Sequence, residues 1–272
     1  MKKQFSLLLV LLFTLTVYSA NNNRERITRD VSNYNSIISK CSADIIYIQN
    51  NDTKIEISAN SEDIDKVITK VKDGTLIISI KNSPVFNFSS YSNIIVYAYS
   101  PNLENVTLAG SGNFEAKESI SGIDFNVNIQ GSGNFEADMD MQNVNIKING
   151  SGDIDISGIK SNLLIENHGS GDAIIKDAEI SNGHIIMRGS GDINIEGHAN
   201  ILEIKQSGSG DLHANHCICK KININKSGSG DANITAKEEL IIKSNGSGDT
   251  KCNGNPKKLS QQINGSGELY IN

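Results

Sequence analysis

Gly-Ser-Gly recurs nine times in this chain, beginning at Gly110, Gly131, Gly150, Gly169, Gly189, Gly208, Gly228, Gly246 and Gly265, at intervals of 18 to 21 residues. So short and even a period leaves room for one supersecondary unit per repeat, which is the mark of a solenoid. Asn113 and Asn134 follow the first two copies, Asp153, Asp172, Asp192, Asp211, Asp231 and Asp249 the next six, and Glu268 the last.

Other columns align on the tripeptide. Four residues before it stand Val106, Val127, Ile146, Ile165, Ile185, Ile204, Ile224 and Ile242, and only the final copy departs, with Gln261. Six before stand Val144, Leu163, Leu202, Ile222, Leu240 and Leu259. Residues two apart lie on one face of a strand, so each repeat sends aliphatic side chains inward before its turn. After the turn the alternation resumes, as in Phe114 and Ala116, Phe135 and Ala137, Ile154 and Ile156, Ile193 and Ile195, or Leu269 and Ile271. A more variable corner follows, such as Ser157-Gly158 or Glu196-Gly197-His198.

One coil cannot bury its own apolar face, whereas coils stacked at about 4.8 Å place like residues above one another in a continuous core. The fold class expected is all-β: a single-stranded parallel β-helix, right-handed by the usual preference, with about 19–20 residues per coil. Glycine at the tripeptide corner is expected to supply positive φ. The Ser and Asp side chains are expected to accept from N–H groups of their own turn. Gln261 fits a last coil that meets solvent.

Lys2 and Lys3 precede an apolar run from Phe5 to Val17, and small residues follow at Ser19 and Ala20. Residues 1–20 therefore read as a secretory signal peptide, with cleavage after Ser19 or Ala20 and no cysteine there to take a lipid. The run is too short to favour a membrane span. Net charge is −6 and spread along the chain, which argues against nucleic acid and anionic membrane partners.

Residues 24–108 have a different texture and are expected to form a β cap, or irregular first coils, ahead of the repeat β-helix of residues 109–272. Ile45–Ile48, Lys54–Ser58, Thr75–Lys81, Asn93–Ser100 and Asn105–Leu108 alternate as strands. Ser61 to Val71 reads as one short helix, capped by Ser61 and striped by Ile64, Val67, Ile68 and Val71.

The segment Arg26-Ile27-Thr28-Arg29-Asp30-Val31 leading to Ile37-Ile38, the phrase Gly74-Thr75-Leu76-Ile77-Ile78-Ser79-Ile80, the stretch from Pro101 to Gly112 and the Gly-Ser-Gly-Asp corners together resemble the head GIN domain of putative autotransporter adhesins. That family consists of exported bacterial β-solenoids, and the resemblance covers nearly the whole chain after the leader. It implies a cell-envelope or secreted protein with an adhesive role. Unlike an autotransporter, the sequence has no room after the repeats for a membrane β-barrel, so self-export is not expected.

The six stacked aspartates would repel by about 1 kcal/mol per neighbouring pair in water, and by about 3 to 4 kcal/mol at an effective dielectric near 20. Either a row of calcium ions or hydrogen bonding to the turns must relieve this. The second is preferred, because calcium β-rolls repeat every nine residues and Asn113 and Asn134 share the column. Cys217 and Cys219, with His213 and His216 nearby, lack the Cys-x-x-Cys spacing of structural zinc. They read as core or free thiols, a disulfide being the alternative. Cys252 falls in the inward column of Ile156, Ile195 and Ile234.

Parallel β-helices also carry polysaccharide lyases and glycoside hydrolases, and that is the alternative function, with a site on the outer face or toward Tyr91, Tyr97 and Tyr99. Against it, Trp is absent, and between Gly110 and Gly267 the aromatics are Phe114, Phe125 and Phe135, all in inward columns. Arg188 is the sole arginine there, and no long loops interrupt the coils. His168, His184, His198, His213 and His216 read as solvated corner residues. The sequence thus assigns no catalytic, cofactor-binding or metal-ligating residue. It points to a non-catalytic, exported β-solenoid with an extracellular or envelope partner, glycan or protein.

Overall fold

The computed structural model describes residues 24–81 and 93–272; the leader and Tyr91 lie outside them. The elements are β1 (Arg24–Asp30), β2 (Ser36–Ser39), β3 (Asp44–Gln49), β4 (Lys54–Asn60), α1 (Ser61–Ile64), β5 (Val67–Lys72), β6 (Thr75–Ile80), β7 (Ile95–Ser100), β8 (Asn105–Leu108) and β9 (Phe114–Ala116). The longer strands of the repeats follow: β10 (Ile120–Ile129), β11 (Phe135–Ile148), β12 (Ile154–Asn167), β13 (Ala173–Met187), β14 (Ile193–Gln206), β15 (Leu212–Lys226) and β16 (Ala232–Ser244). The chain closes with β17 (Thr250–Asn253), β18 (Lys258–Ile263) and β19 (Leu269–Ile271).

From β8 onward every coil pairs in parallel with the next, giving a β-solenoid of about nine turns. The inward column is in register throughout, Val106 opposite Val127, then Ile146, Ile165, Ile185, Ile204, Ile224, Ile242 and Gln261. Its aliphatic members are buried, and Gln261 is exposed. On the other wall Phe114 and Phe135 stack with ring centroids 4.7 Å apart, extending the core toward Tyr47.

The tripeptide glycines do not have the positive φ expected of them; that conformation occurs at Gly74 and at Gly158, Gly197 and Gly254 in the variable corners. The tripeptides need glycine for a different reason. A Cβ on Gly171 would stand within 3.0 Å of the Gly152 carbonyl oxygen, and one on Gly191 equally close to that of Gly171. The same holds along the stack down to Gly110, which lies against the Cys41 carbonyl. Successive corners approach so closely that there is no space for a side chain.

The N-terminal region is threaded out of sequence order. β2 lies between β6 and β8, and β3 between β7 and β9, all parallel. The first coil is therefore inserted between the outermost coil and the repeats. β4 then adds antiparallel to β7, β1 to β4, and β5 to β6. Arg29 on β1 donates to the carbonyls of Val67 and Ile64 and to the Thr69 hydroxyl, tying β1 to the β5 side.

The helix expected from Ser61 to Val71 stops at Ile64, and Asn60 occupies its N-cap position. Val67, Ile68, Thr69 and Val71 instead belong to β5, since β-branched side chains suit a strand. Asp73 and Gly74 both adopt positive φ and close a two-residue hairpin to β6.

Candidate functional surface

The aspartate column forms a hydrogen-bonded ladder. Contrary to the expectation that they serve their own turns, its carboxylates accept from the backbone of the following coil. Asp153 Oδ1 accepts from Asp172 N–H at 2.8 Å, Asp172 from Asp192, Asp192 from Asp211, Asp211 from Asp231 and Asp231 from Asp249, each of the last four at 2.7 Å. Asn113 and Asn134 do the same with their amide oxygens.

The corner explains why a side chain is needed. His168 and Gly169 both donate to the Ile148 carbonyl, and Ser170 donates to Gly150. The Asp172 carbonyl accepts from Ile154, leaving its own N–H to Asp153. The ladder starts at Asp44, whose Oδ1 accepts from Asn113 N–H at 2.9 Å. Cys41-Ser42-Ala43-Asp44 is therefore a degenerate copy of the corner. Ile37 stands four residues before Cys41, the spacing of Val106 to Gly110, and this was the signal for it in the sequence. At the other end Glu268 replaces Asp, and its carboxylate accepts from the Tyr270 hydroxyl.

The outward faces carry further ladders. Asn145 donates to Asn126 and Asn126 to Asn105; Asn162 donates to Asn143 and Asn143 to Asp124. Glu115, Glu136 and Asp155 are stacked in register beside a hollow of about 150 Å³. Lys117 pairs with Glu115 and Lys176 with Asp155, both at 2.8 Å. Among the described residues no group of three or more His, Cys, Asp or Glu is arranged to hold a metal ion.

Tyr97 and Tyr99 do not offer free stacking faces. The Arg26 guanidinium lies 3.9 Å from the centre of the Tyr97 ring, and the Lys54 ammonium 4.6 Å from that of Tyr99. Both cations also pair with Glu56. His184 and His213 lie in strands and not at corners, His184 facing Glu203 at 3.4 Å. His198 stands 3.1 Å from Glu179 in the coil before it. None of the five is joined to a nucleophile by the hydrogen bonds of the described residues.

All four cysteines are free and buried. Cys252 faces inward opposite Ile234, as its column requires. Lys226, unremarked in the sequence, is buried in the column of Asn167, Met187, Gln206 and Ser244. It donates to the Asp249 carbonyl and the Thr250 hydroxyl. Burial lowers its pKa to about 8 despite the favourable fields of Asp231, Asp249 and Asp211.

This is the surface of a repetitive β-solenoid whose outer side chains are locked coil to coil. The chain belongs to the family described as "Putative auto-transporter adhesin, head GIN domain", whose model matches residues 33–195 and 159–256. Among solved structures it is similar to a protein from Parabacteroides distasonis described as a "putative adhesin", with 20% identity, TM-score 0.71 and coverage of 93% of this chain and 98% of that one. A counterpart from Parabacteroides merdae has 19% identity, TM-score 0.68 and coverage of 93% and 97%. A P. distasonis protein described as a "Putative lipid binding protein" has 24% identity, TM-score 0.67 and coverage of 93% and 98%. At these identities the likeness establishes the fold. No curated protein matches the chain. No helix among the described residues is long and apolar enough to cross a membrane.

Proposed function

We propose that this protein is a non-catalytic β-solenoid, exported by the leader at residues 1–20, that binds a glycan or protein partner at the cell envelope or outside the cell. In this reading residues 24–108 close one end of the solenoid, and the repeats of residues 109–272 form the display surface. The observation that carries it is the pinning of the outer columns. The Asn105–Asn126–Asn145 ladder and the Asp172–Asp192–Asp211 ladder hold their side chains in register between coils. A binding surface so ordered loses little further side-chain entropy when a partner docks. The cations over Tyr97 and Tyr99 count against the alternative of a carbohydrate-cleaving site there.

The test is a glycan and extracellular-matrix array probed with purified mature protein, with product analysis on the same glycans. Saturable binding without new reducing ends or unsaturated uronates is expected. Product formation would establish the carbohydrate-active alternative, and the absence of any saturable partner would overturn the binding reading.

A further inference from the structure

Cys217 and Cys219 occupy successive inward positions of β15. Both thiols are buried, with the sulfurs 3.6 Å apart, and the Cys219 thiol is directed at the sulfur and the carbonyl of Cys217. Their stacked neighbours are small: Gly197 lies opposite Cys217, and Ala199 and Ala236 flank Cys219. Little therefore separates the sulfurs or props them apart. The ladder to β16 slips on both sides of the pair, between Ala214 and Ile218 and again between Cys219 and Lys221. Such irregularities free the local backbone from strict pairing.

We propose that Cys217 and Cys219 form a redox pair that closes reversibly to an intrastrand disulfide. Closure brings the sulfurs from 3.6 Å to about 2 Å. The hydrogen bond from Cys219 favours the Cys217 thiolate, while the same bond and burial hold Cys219 protonated. Cys217 is thus the attacking sulfur and Cys219 the resolving one. The Cys217 thiolate attacks one sulfur of an external disulfide and releases the first thiol. Cys219 gives up its proton to solvent and displaces the second from the mixed disulfide. Two electrons pass to the external disulfide, which leaves as two thiols. Because both sulfurs are buried, the exchange proceeds through local opening of this corner.

The experiment exposes the folded protein to diamide, which takes up the two electrons and two protons as its hydrazine. The remaining thiols are then alkylated and mapped by peptide mass. Two of the four thiols should be lost. The link should lie within the Cys217–Cys219 peptide, and dithiothreitol should restore both. The C219A variant, which repeats the alanines of its column, should retain its three thiols. Should that variant not fold, the mass map of the native chain decides alone. Survival of all four thiols, or loss mapped to Cys41, Cys252 or a bond between molecules, would overturn the proposal.

Discussion

The backbone amide of Asp192 donates to Oδ1 of Asp172, one coil earlier, at 2.7 Å. The carboxylate stands in for the carbonyl that a regular parallel ladder would place there, so the column needs an acceptor and not a charge. Asp192→Asn should be neutral or mildly stabilising, because it keeps the acceptor and removes like-charge repulsion. Asp192→Ala should cost about 1 kcal/mol, the net worth of one hydrogen bond. Thermal unfolding of the two variants checks this. The melting temperature should not change with millimolar calcium or chelator; a rise of several degrees that vanishes in Asp192→Asn would make the column a cation site.

Gly171 and Gly74 separate the two reasons for glycine. Gly171→Ala should destabilise by several kcal/mol, because the new methyl meets the Gly152 carbonyl and the backbone must move. Gly74→Asn should cost less than about 1 kcal/mol. Its φ is +73°, a value asparagine tolerates, and the nearest atom to a Cβ there is Asn35 Oδ1 at 3.5 Å. Ser170 is exposed and its hydroxyl, contrary to expectation, has no hydrogen-bond partner among the described residues, so Ser170→Ala should change stability by less than about 0.5 kcal/mol. Denaturant midpoints rank the three.

Ile185 is buried between Ile165 and Ile204 of the adjacent coils. Ile185→Asp should abolish cooperative folding by burying an unpaired charge. Lys205, one residue after Ile204 and exposed, should accept alanine with little change. Circular dichroism melts distinguish them, and equal tolerance would reverse the assignment of strand faces.

Lys226 predicts a pH dependence of definite sign. Its folded pKa is about 8 against an ordinary 10.5, so between these values the unfolded chain holds the extra proton. Stability should therefore rise as pH climbs from about 8 to 10.5, and the destabilisation should be present in full below that window. The span corresponds to about 3 kcal/mol. Lys226→Gln should stabilise the protein at neutral pH and flatten the difference curve, since Gln206 in the same column already reaches the Gly210 and Asp231 carbonyls. Chemical denaturation at pH 7, 9 and 10.5, native against variant, reads the effect.

What the sequence determined by itself was the coil. The spacing of Ile165, Ile185 and Ile204 from their tripeptides set both register and inward face, because alternation along a strand and a constant repeat length are local properties that stacking only multiplies. The tertiary structure decided what each corner residue does for the next coil. Gly171 is required by the carbonyl of Gly152, Asp172 bonds to Asp192, Arg26 covers Tyr97, and Cys41 to Asp44 stands beneath Gly110 from about 70 residues away. Val67 to Val71 carried a helical stripe and a strand-forming run of β-branched residues at once, and pairing with β6 settled the choice. Apart from that hairpin, whose partner strand is next in the chain, the deciding partner lies a coil or more away, so only packing brings the two together.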